Sequence, residues 1–265
     1  MYNAKELKLT IRNMEFDYIT FGNGTKPLVM IQGLNTRGIK GTALPLAYMY
    51  RIFTKEYKVY LFERRPILEE NITVEDMADD MAACMDALGI SDAYVFGVSQ
   101  GGMIAQYLAI NRPDLVKRLV LAVTVSRNND TVTKVISAWI DMVRKNEIKQ
   151  LVYDMAEKMY SDEYVKRYHL MMPLLTLMQK PKDADRFIIL AKSCLTCNTY
   201  DILDKIQCPT LVIGGKKDKV VGSDAAAEIA DKVGCKAHIY ENLGHAAYEE
   251  APDFNKMVYD FFGEV

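Results

Sequence analysis

Val95-Phe96-Gly97-Val98-Ser99-Gln100-Gly101-Gly102-Met103 is the stretch on which the reading of this chain turns. Its first half continues an apolar run from Ala93 to Val98, the pattern of a strand buried on both faces. Its second half opens a helical pattern from Gln100 to Asn111, which ends before Arg112-Pro113. A serine therefore stands at a strand-to-helix junction, with glycine on either side at 97 and 101. On so tight a turn the serine takes an unusual backbone conformation, and side chains at 97 and 101 would stop the turn from closing. The hydroxyl is then held at the carboxyl edge of the strand. The free N–H groups and positive dipole end of the following helix lie beneath it.

Outward from this junction the same kinds of run recur. Pro27–Ile31, Tyr57–Phe62, Arg118–Val123 and Pro209–Ile213 are short and apolar, and Lys236–Tyr240 is a weaker example. Leu7–Ile11 and Glu15–Ile19 instead alternate about a turn at Asn13, which predicts a half-solvated antiparallel hairpin. Thr73–Leu88 has helical apolar spacing and stops at Gly89, with Thr73 as N-cap and Asp76 in the first turn. Ser223–Val233 is a second such segment, stopped by Gly234. Strand and helix in alternation predict a parallel sheet with helices on both faces. The rhythm breaks between 130 and 205, where the pattern is helical throughout, at 132–145, 148–160, 162–178 and 184–195. Pro173 and Pro181 interrupt or end two of these stretches.

With 265 residues, half of them hydrophobic and 26% charged, the chain can bury a large core. Lys plus Arg number 33 and Asp plus Glu 35, a net charge of −2. That balance argues against a nucleic-acid partner and against a polybasic membrane anchor. No apolar run approaches the roughly 18–20 residues that span a bilayer. The N-terminus, Met1 to Leu7, lacks a basic region followed by an apolar stretch, so a cytoplasmic location is expected. The five scattered cysteines (Cys84, Cys194, Cys197, Cys208 and Cys235) suit reduced thiols rather than a disulfide framework. Cys194-Leu195-Thr196-Cys197 has no second pair or nearby histidine to complete a zinc site. Gly22-x-Gly24 and Gly214-Gly215 lack the setting of a nucleotide-binding loop, so no metal or cofactor is expected.

Gly97 to Leu121, GVSQGGMIAQYLAINRPDLVKRLVL, resembles the nucleophile elbow, following helix and next strand of the α/β-hydrolase superfamily. The likeness covers nearly the whole chain. It implies an α/β fold with a mostly parallel eight-stranded sheet flanked by helices. It also implies an all-helical cap, or lid, inserted after the sixth strand. Residues 1–126 and 206–265 would form the hydrolase core and 127–205 the cap. The resemblance further implies a capped serine hydrolase, similar to carboxylesterases and lactonases. Such an enzyme acts without a cofactor on a small-molecule ester, thioester or lactone.

A serine hydroxyl is a poor nucleophile near neutral pH and needs a base. The chain has three histidines. His245, in Asn242-Leu243-Gly244-His245-Ala246-Ala247-Tyr248-Glu249-Glu250, resembles the family's catalytic histidine loop. His238 lies in a strand-like run and reads as a packing or surface residue. His169, in the helical insertion, reads as a surface or cavity-lining residue. Asp218 follows Leu211-Val212-Ile213-Gly214-Gly215-Lys216-Lys217, which resembles the usual position of the acid that orients the histidine. The chain order Ser99, Asp218, His245 is the order this fold imposes. Asp224 reads instead as a helix cap, and Glu241 is too near His245 in sequence. The family's alternative acid position holds Thr124, which cannot serve.

For the oxyanion, the backbone N–H of Gln100 is one expected donor. By resemblance to a His-Gly-x pattern, the N–H of Leu34 is the second. Gln32 stands where that histidine usually does, and its amide is expected to brace the loop similarly. Phe62-Glu63-Arg64-Arg65-Pro66 replaces another familiar family sequence. Arg64 or Arg65 either braces the neighbouring loops or is solvated. Trp139, Met142, Met171, Met172, Leu174 and Met178 are candidates for the cap's substrate-facing side, with packing between cap helices as the alternative for each. Carbon–carbon bond hydrolysis or a cofactor-free perhydrolase reaction would use the same fold and triad. A small-molecule receptor with a vestigial triad is a third reading.

Overall fold

The short apolar runs become strands because each can bury both of its faces. Along Lys26–Ile31 (β3), Val29 and Ile31 join one core while Leu28 and Met30 join the other. The same alternation holds in Ala93–Val98 (β5), with Val95 on the first face and Tyr94, Phe96 and Val98 on the second. The computed structural model describes residues 1–171, 174 and 181–264. The remaining strands are Lys5–Ile11 (β1), Met14–Phe21 (β2), Tyr57–Phe62 (β4), Val116–Ala122 (β6), Thr210–Gly215 (β7) and Lys236–Tyr240 (β8). Among the described residues they form one eight-stranded sheet in the order β1-β2-β4-β3-β5-β6-β7-β8. β1–β2 and β2–β4 pair antiparallel, and all later pairs are parallel.

Helices cover both faces. Val74–Ala87 (α2), Gln100–Asn111 (α3) and Ala225–Val233 (α8) pack on one core. Ala43–Met49 (α1) and Phe254–Gly263 (α10) pack on the other. Local chemistry fixes their ends. Thr73 and Asp76 cap α2 reciprocally, side chain to backbone in both directions. Gly234 ends α8 in the left-handed region at φ 75°. Asp224 occupies the N-cap position of α8 but makes no side-chain cap bond; its carboxylate accepts from the Ser223 hydroxyl instead. The short helix α1 has no counterpart among the sequence patterns, because it buries only Ala43 and Ala47 and carries no capping signal.

Between β6 and β7 lie Asp130–Arg144 (α4), Ile148–Met159 (α5), Asp162–Tyr168 (α6) and Ala184–Cys194 (α7). The expected single helix over 162–178 is interrupted within its described part. α6 stops at Tyr168 and a 3₁₀ turn, His169–Met171, follows. α6 buries none of its residues, so little packing holds a longer helix there. Met172, Met178 and the side chain of His169 lie outside the described residues. Among the described residues no helix is long and apolar enough to cross a membrane.

β3 lies between β4 and β5, so the chain leaves β3 towards one edge of the sheet and β5 towards the other. A crevice opens at the carboxyl ends of strands where connections part in this way. Ile31 and Gly97 are the last register partners of β3 and β5, which puts the loops after both strands at that crevice.

Candidate active site

Ser99 is reached by that geometry. It sits between β5 and α3 with φ 54° and ψ −121°, a region side chains rarely enter. The neighbouring glycines are a steric requirement. A Cβ at Gly97 would come 2.5 Å from the Gly101 carbonyl oxygen, and one at Gly101 would come 1.9 Å from that of Ile31. Thr124 braces the turn from β6, its hydroxyl donating to the Ser99 carbonyl at 2.7 Å.

His245 follows β8, just before Ala247–Glu250 (α9). Its Nε2 lies 3.0 Å from Ser99 Oγ and its Nδ1 lies 2.9 Å from Asp218 Oδ2. Asp218 is fixed in turn, because its Oδ1 accepts the backbone N–H groups of Val220 at 2.8 Å and Val221 at 2.9 Å. Both His245 and Asp218 are buried. Three side chains from the loops after β5, β7 and β8 thus form one hydrogen-bonded chain from hydroxyl to carboxylate. His238 lies elsewhere, on β8 with its ring edge-on to Tyr240.

The loop after β3 runs against the serine. A Cβ built on Gly33 would lie 3.2 Å from Ser99 Cβ, and the next residue, Leu34, borders the cavity above it. Gln100 is the first residue of α3, where a helical N–H has no acceptor within the helix. Gln32 does not brace this loop through its amide, since Nε2 is buried without a partner among the described residues. Its carbonyl is held instead, by Arg64 Nη2 at 2.6 Å. The same Nη2 donates to the Gln100 side-chain oxygen at 3.3 Å. The Gln100 amide then reaches α7, donating to the Leu190 carbonyl at 2.7 Å and the Ser193 hydroxyl at 3.1 Å. Arg64 is therefore a brace and is 3% exposed. Burial holds its guanidinium down to about 10. Arg65 is also paired, with both oxygens of Asp80 on α2. Nothing in the pattern of residues 62–66 pointed to which arginine turns inward.

A cavity of about 580 Å³ opens above Ser99 and His245. Its walls include Met103, Val132, Ile136, Trp139, Val152, Met155, Met159 and Met171. Trp139 and Met171 thus face it, and the indole N–H of Trp139 donates to Asp154 at 2.7 Å. Met142 does not line it and packs against the core. It falls off the stripe that Val132, Ile136 and Trp139 make along α4, and lies on the flank that carries Val135. Leu174 is 54% exposed and outside the cavity wall. Cys194 reaches the wall, but burial pushes its thiol up to about 12, so it is no nucleophile at neutral pH. Sequence reasoning passed over Glu249, Tyr160, Tyr164, Tyr168 and Arg37, which supply polar groups to the same cavity. Among the described residues no cluster of His, Cys, Asp or Glu converges as a metal site.

Sheet order, elbow and cavity define a fold class. The sequence profile described as alpha/beta hydrolase fold matches residues 26–252, and the chain belongs to that family. Over 267 residues, 94% of this chain and 92% of the relative, it is 24% identical to 2-hydroxy-6-oxononadienedioate/2-hydroxy-6-oxononatrienedioate hydrolase 2 of Pseudomonas putida. Among solved structures it resembles the enol-lactonase from Burkholderia xenovorans LB400, with a TM-score of 0.84, 20% identity, and coverage of 97% of this chain and 100% of that one. MGS-M2, an alpha/beta hydrolase from a Medee basin deep-sea metagenome library, gives a TM-score of 0.85 at 21% identity, covering 98% of both chains.

Proposed function

We propose that the protein is a serine hydrolase that cleaves a small-molecule carboxylic ester, thioester or lactone. The observation that carries this reading is the unbroken chain Ser99 Oγ, His245 Nε2, His245 Nδ1, Asp218 Oδ2, with links of 3.0 and 2.9 Å. Such spacing lets His245 take the serine proton as Oγ attacks the substrate carbonyl. The developing oxyanion is met by the N–H groups of Gln100 and Leu34, donors fixed in place before the reaction. Collapse of the tetrahedral species breaks the acyl–oxygen or acyl–sulfur bond. The proton on His245 passes to the leaving group, and an acyl-Ser99 ester remains. Water then gives a proton to His245 and its oxygen to the acyl carbon, releasing the acid and restoring Ser99. Asp218 keeps the imidazole in the orientation that points Nε2 at the serine. Residues 127–205 act as the cap, whose apolar lining excludes bulk water from this chemistry.

A fluorophosphonate probe tests the reading directly. Labelling of the wild-type protein and its disappearance in folded Ser99→Ala are the expected results. An unlabelled wild-type protein would favour the receptor reading. A second enzymatic reading, hydrolysis of a dienedioate, draws support from the Pseudomonas putida relative, whose match spans nearly the full chain. The Glu249 carboxylate in the cavity wall counts against a doubly anionic substrate.

A further inference from the structure

Glu249 and Glu250 are adjacent but used differently. Glu250 is spent on structure, since its carboxylate accepts both the backbone N–H and the hydroxyl of Ser161, joining α9 to the start of α6. Glu249 turns towards the cavity that holds Ser99 and His245. Its partners are neutral groups: the Tyr160 hydroxyl donates to Oε2 at 2.6 Å, and the Tyr248 hydroxyl also bonds to the carboxylate. Among the described residues no lysine or arginine lies within ion-pair distance of Glu249, although Arg37 borders the same cavity from the loop after β3.

The aromatic groups near this carboxylate are also ordered. Tyr160 and Tyr164 stack with centroids 4.5 Å apart and planes 12° apart, and Tyr168 continues the column at 4.5 Å. All three border the cavity, as does Tyr248. The Glu249 carboxylate is solvent-exposed where it borders the cavity, with hydroxyl partners and no cationic one among the described residues. A ligand bearing positive charge would meet an opposite charge there. Tyrosine rings add attraction through the negative potential of their faces, most strongly for an alkylammonium group too bulky to be well hydrated.

We propose that Glu249 with Tyr160, Tyr164 and Tyr168 forms a cation subsite of the cavity, and that the substrate is an ester carrying an alkylammonium group. This deepens the hydrolase reading and rests on it for the rate measurement, but not for the binding measurement. A matched pair of esters reads the charge alone: acetylcholine, and 3,3-dimethylbutyl acetate with carbon in place of nitrogen. Wild-type kcat/KM should favour acetylcholine by about tenfold, equivalent to ~1.4 kcal/mol. In Glu249→Gln that ratio should fall towards one. Equal kcat/KM for the two esters in the wild-type protein overturns the proposal, whatever the variant does. Choline itself, titrated calorimetrically into Ser99→Ala, gives the readout that needs no turnover. Choline should bind there at least tenfold more tightly than 3,3-dimethyl-1-butanol. Failure of that preference also overturns the subsite. Preferential choline binding by a protein that neither takes the fluorophosphonate nor hydrolyses either ester sustains the subsite and sinks the hydrolase reading instead.

Discussion

Ser99 is held at φ 54° by glycines whose Cβ positions are already occupied. Strain of this kind costs of order 1–3 kcal/mol per residue. It follows that Ser99→Gly, free to adopt this backbone, should resist denaturant better than wild type by about 1 kcal/mol after its larger unfolded-state entropy is counted. Ser99→Ala keeps the Cβ and should show no such gain. Equal stability for Ser99→Gly and Ser99→Ala would contradict the assignment of strain to the backbone. At Asp218 the argument is one of orientation. Two backbone donors fix Oδ1, so Oδ2 is left for His245 Nδ1. Asp218→Asn presents an amide that can reverse the imidazole tautomer, and kcat should fall by up to about 10⁴. Near-normal turnover of short p-nitrophenyl esters by Asp218→Asn would assign the acid elsewhere. These residues were legible because their constraints are local: a glycine pair around a serine, an aspartate just past an apolar strand. Glu249 was not, since its neighbours Tyr160 and Tyr164 come from elements about 90 residues earlier in the chain, and folding alone brings them together.

Elements meet at the site through two clasps. Arg64, after β4, joins the carbonyl of Gln32 to the side chain of Gln100, and Gln100 joins α3 to α7. Arg186 on α7 closes the circuit, donating to the carbonyls of Arg65 at 2.9 Å, Pro66 at 3.2 Å and Arg64 at 3.2 Å. On the other side, the end of α5 grips the histidine loop, with the Met159 carbonyl accepting the Ala246 N–H at 2.7 Å. Arg64→Met tests the first clasp. The oxyanion loop would lose its tie, so kcat should fall by about tenfold with a smaller change in KM, because the lost positioning matters most in the transition state. The melting temperature should hold or rise, since Nε and Nη1 of Arg64 are buried without partners among the described residues and a buried charge is replaced by a shorter apolar chain. A parallel loss of kcat and stability would reduce Arg64 to a packing residue. Core elements were readable from sequence because their periodicity is written by burial on both sheet faces. α1 and the 3₁₀ turn His169–Met171 were not, since the one buries two alanines and α6 before the other buries nothing.

The net charge of −2 is nearly balanced over the molecule, yet the Glu249 carboxylate borders the cavity with no lysine or arginine at ion-pair distance among the described residues. Burial raises the pKa of Glu249 above the ordinary glutamate value, with the adjacent Glu250 adding repulsion and with Tyr160, Tyr248 and His245 opposing the shift. Tyr50 and Tyr164 also sense its charge. A carboxyl that binds its proton more tightly when folded makes folding less favourable as pH rises. Near and below the unfolded-state value of about 4.3 the group is neutral in both states and the cost is absent. Through the raised folded value the cost grows, and above it the cost is complete. Glu249→Gln can still accept the Tyr160 hydroxyl through its amide oxygen but never ionises. Its melting temperature should therefore exceed that of wild type at pH 8, and the gap should close towards pH 4. Choline at pH 8 should narrow the gap by stabilising the wild type selectively, because a ligand that binds only the folded state adds to its stability. A gap that is constant with pH would leave the carboxylate without a cost of burial, and a gap indifferent to choline would separate that cost from ligand recognition. The stability lost at Glu249 is then the counterpart of specificity, an arrangement expected where a binding carboxylate has hydroxyl partners but no cation until its ligand arrives.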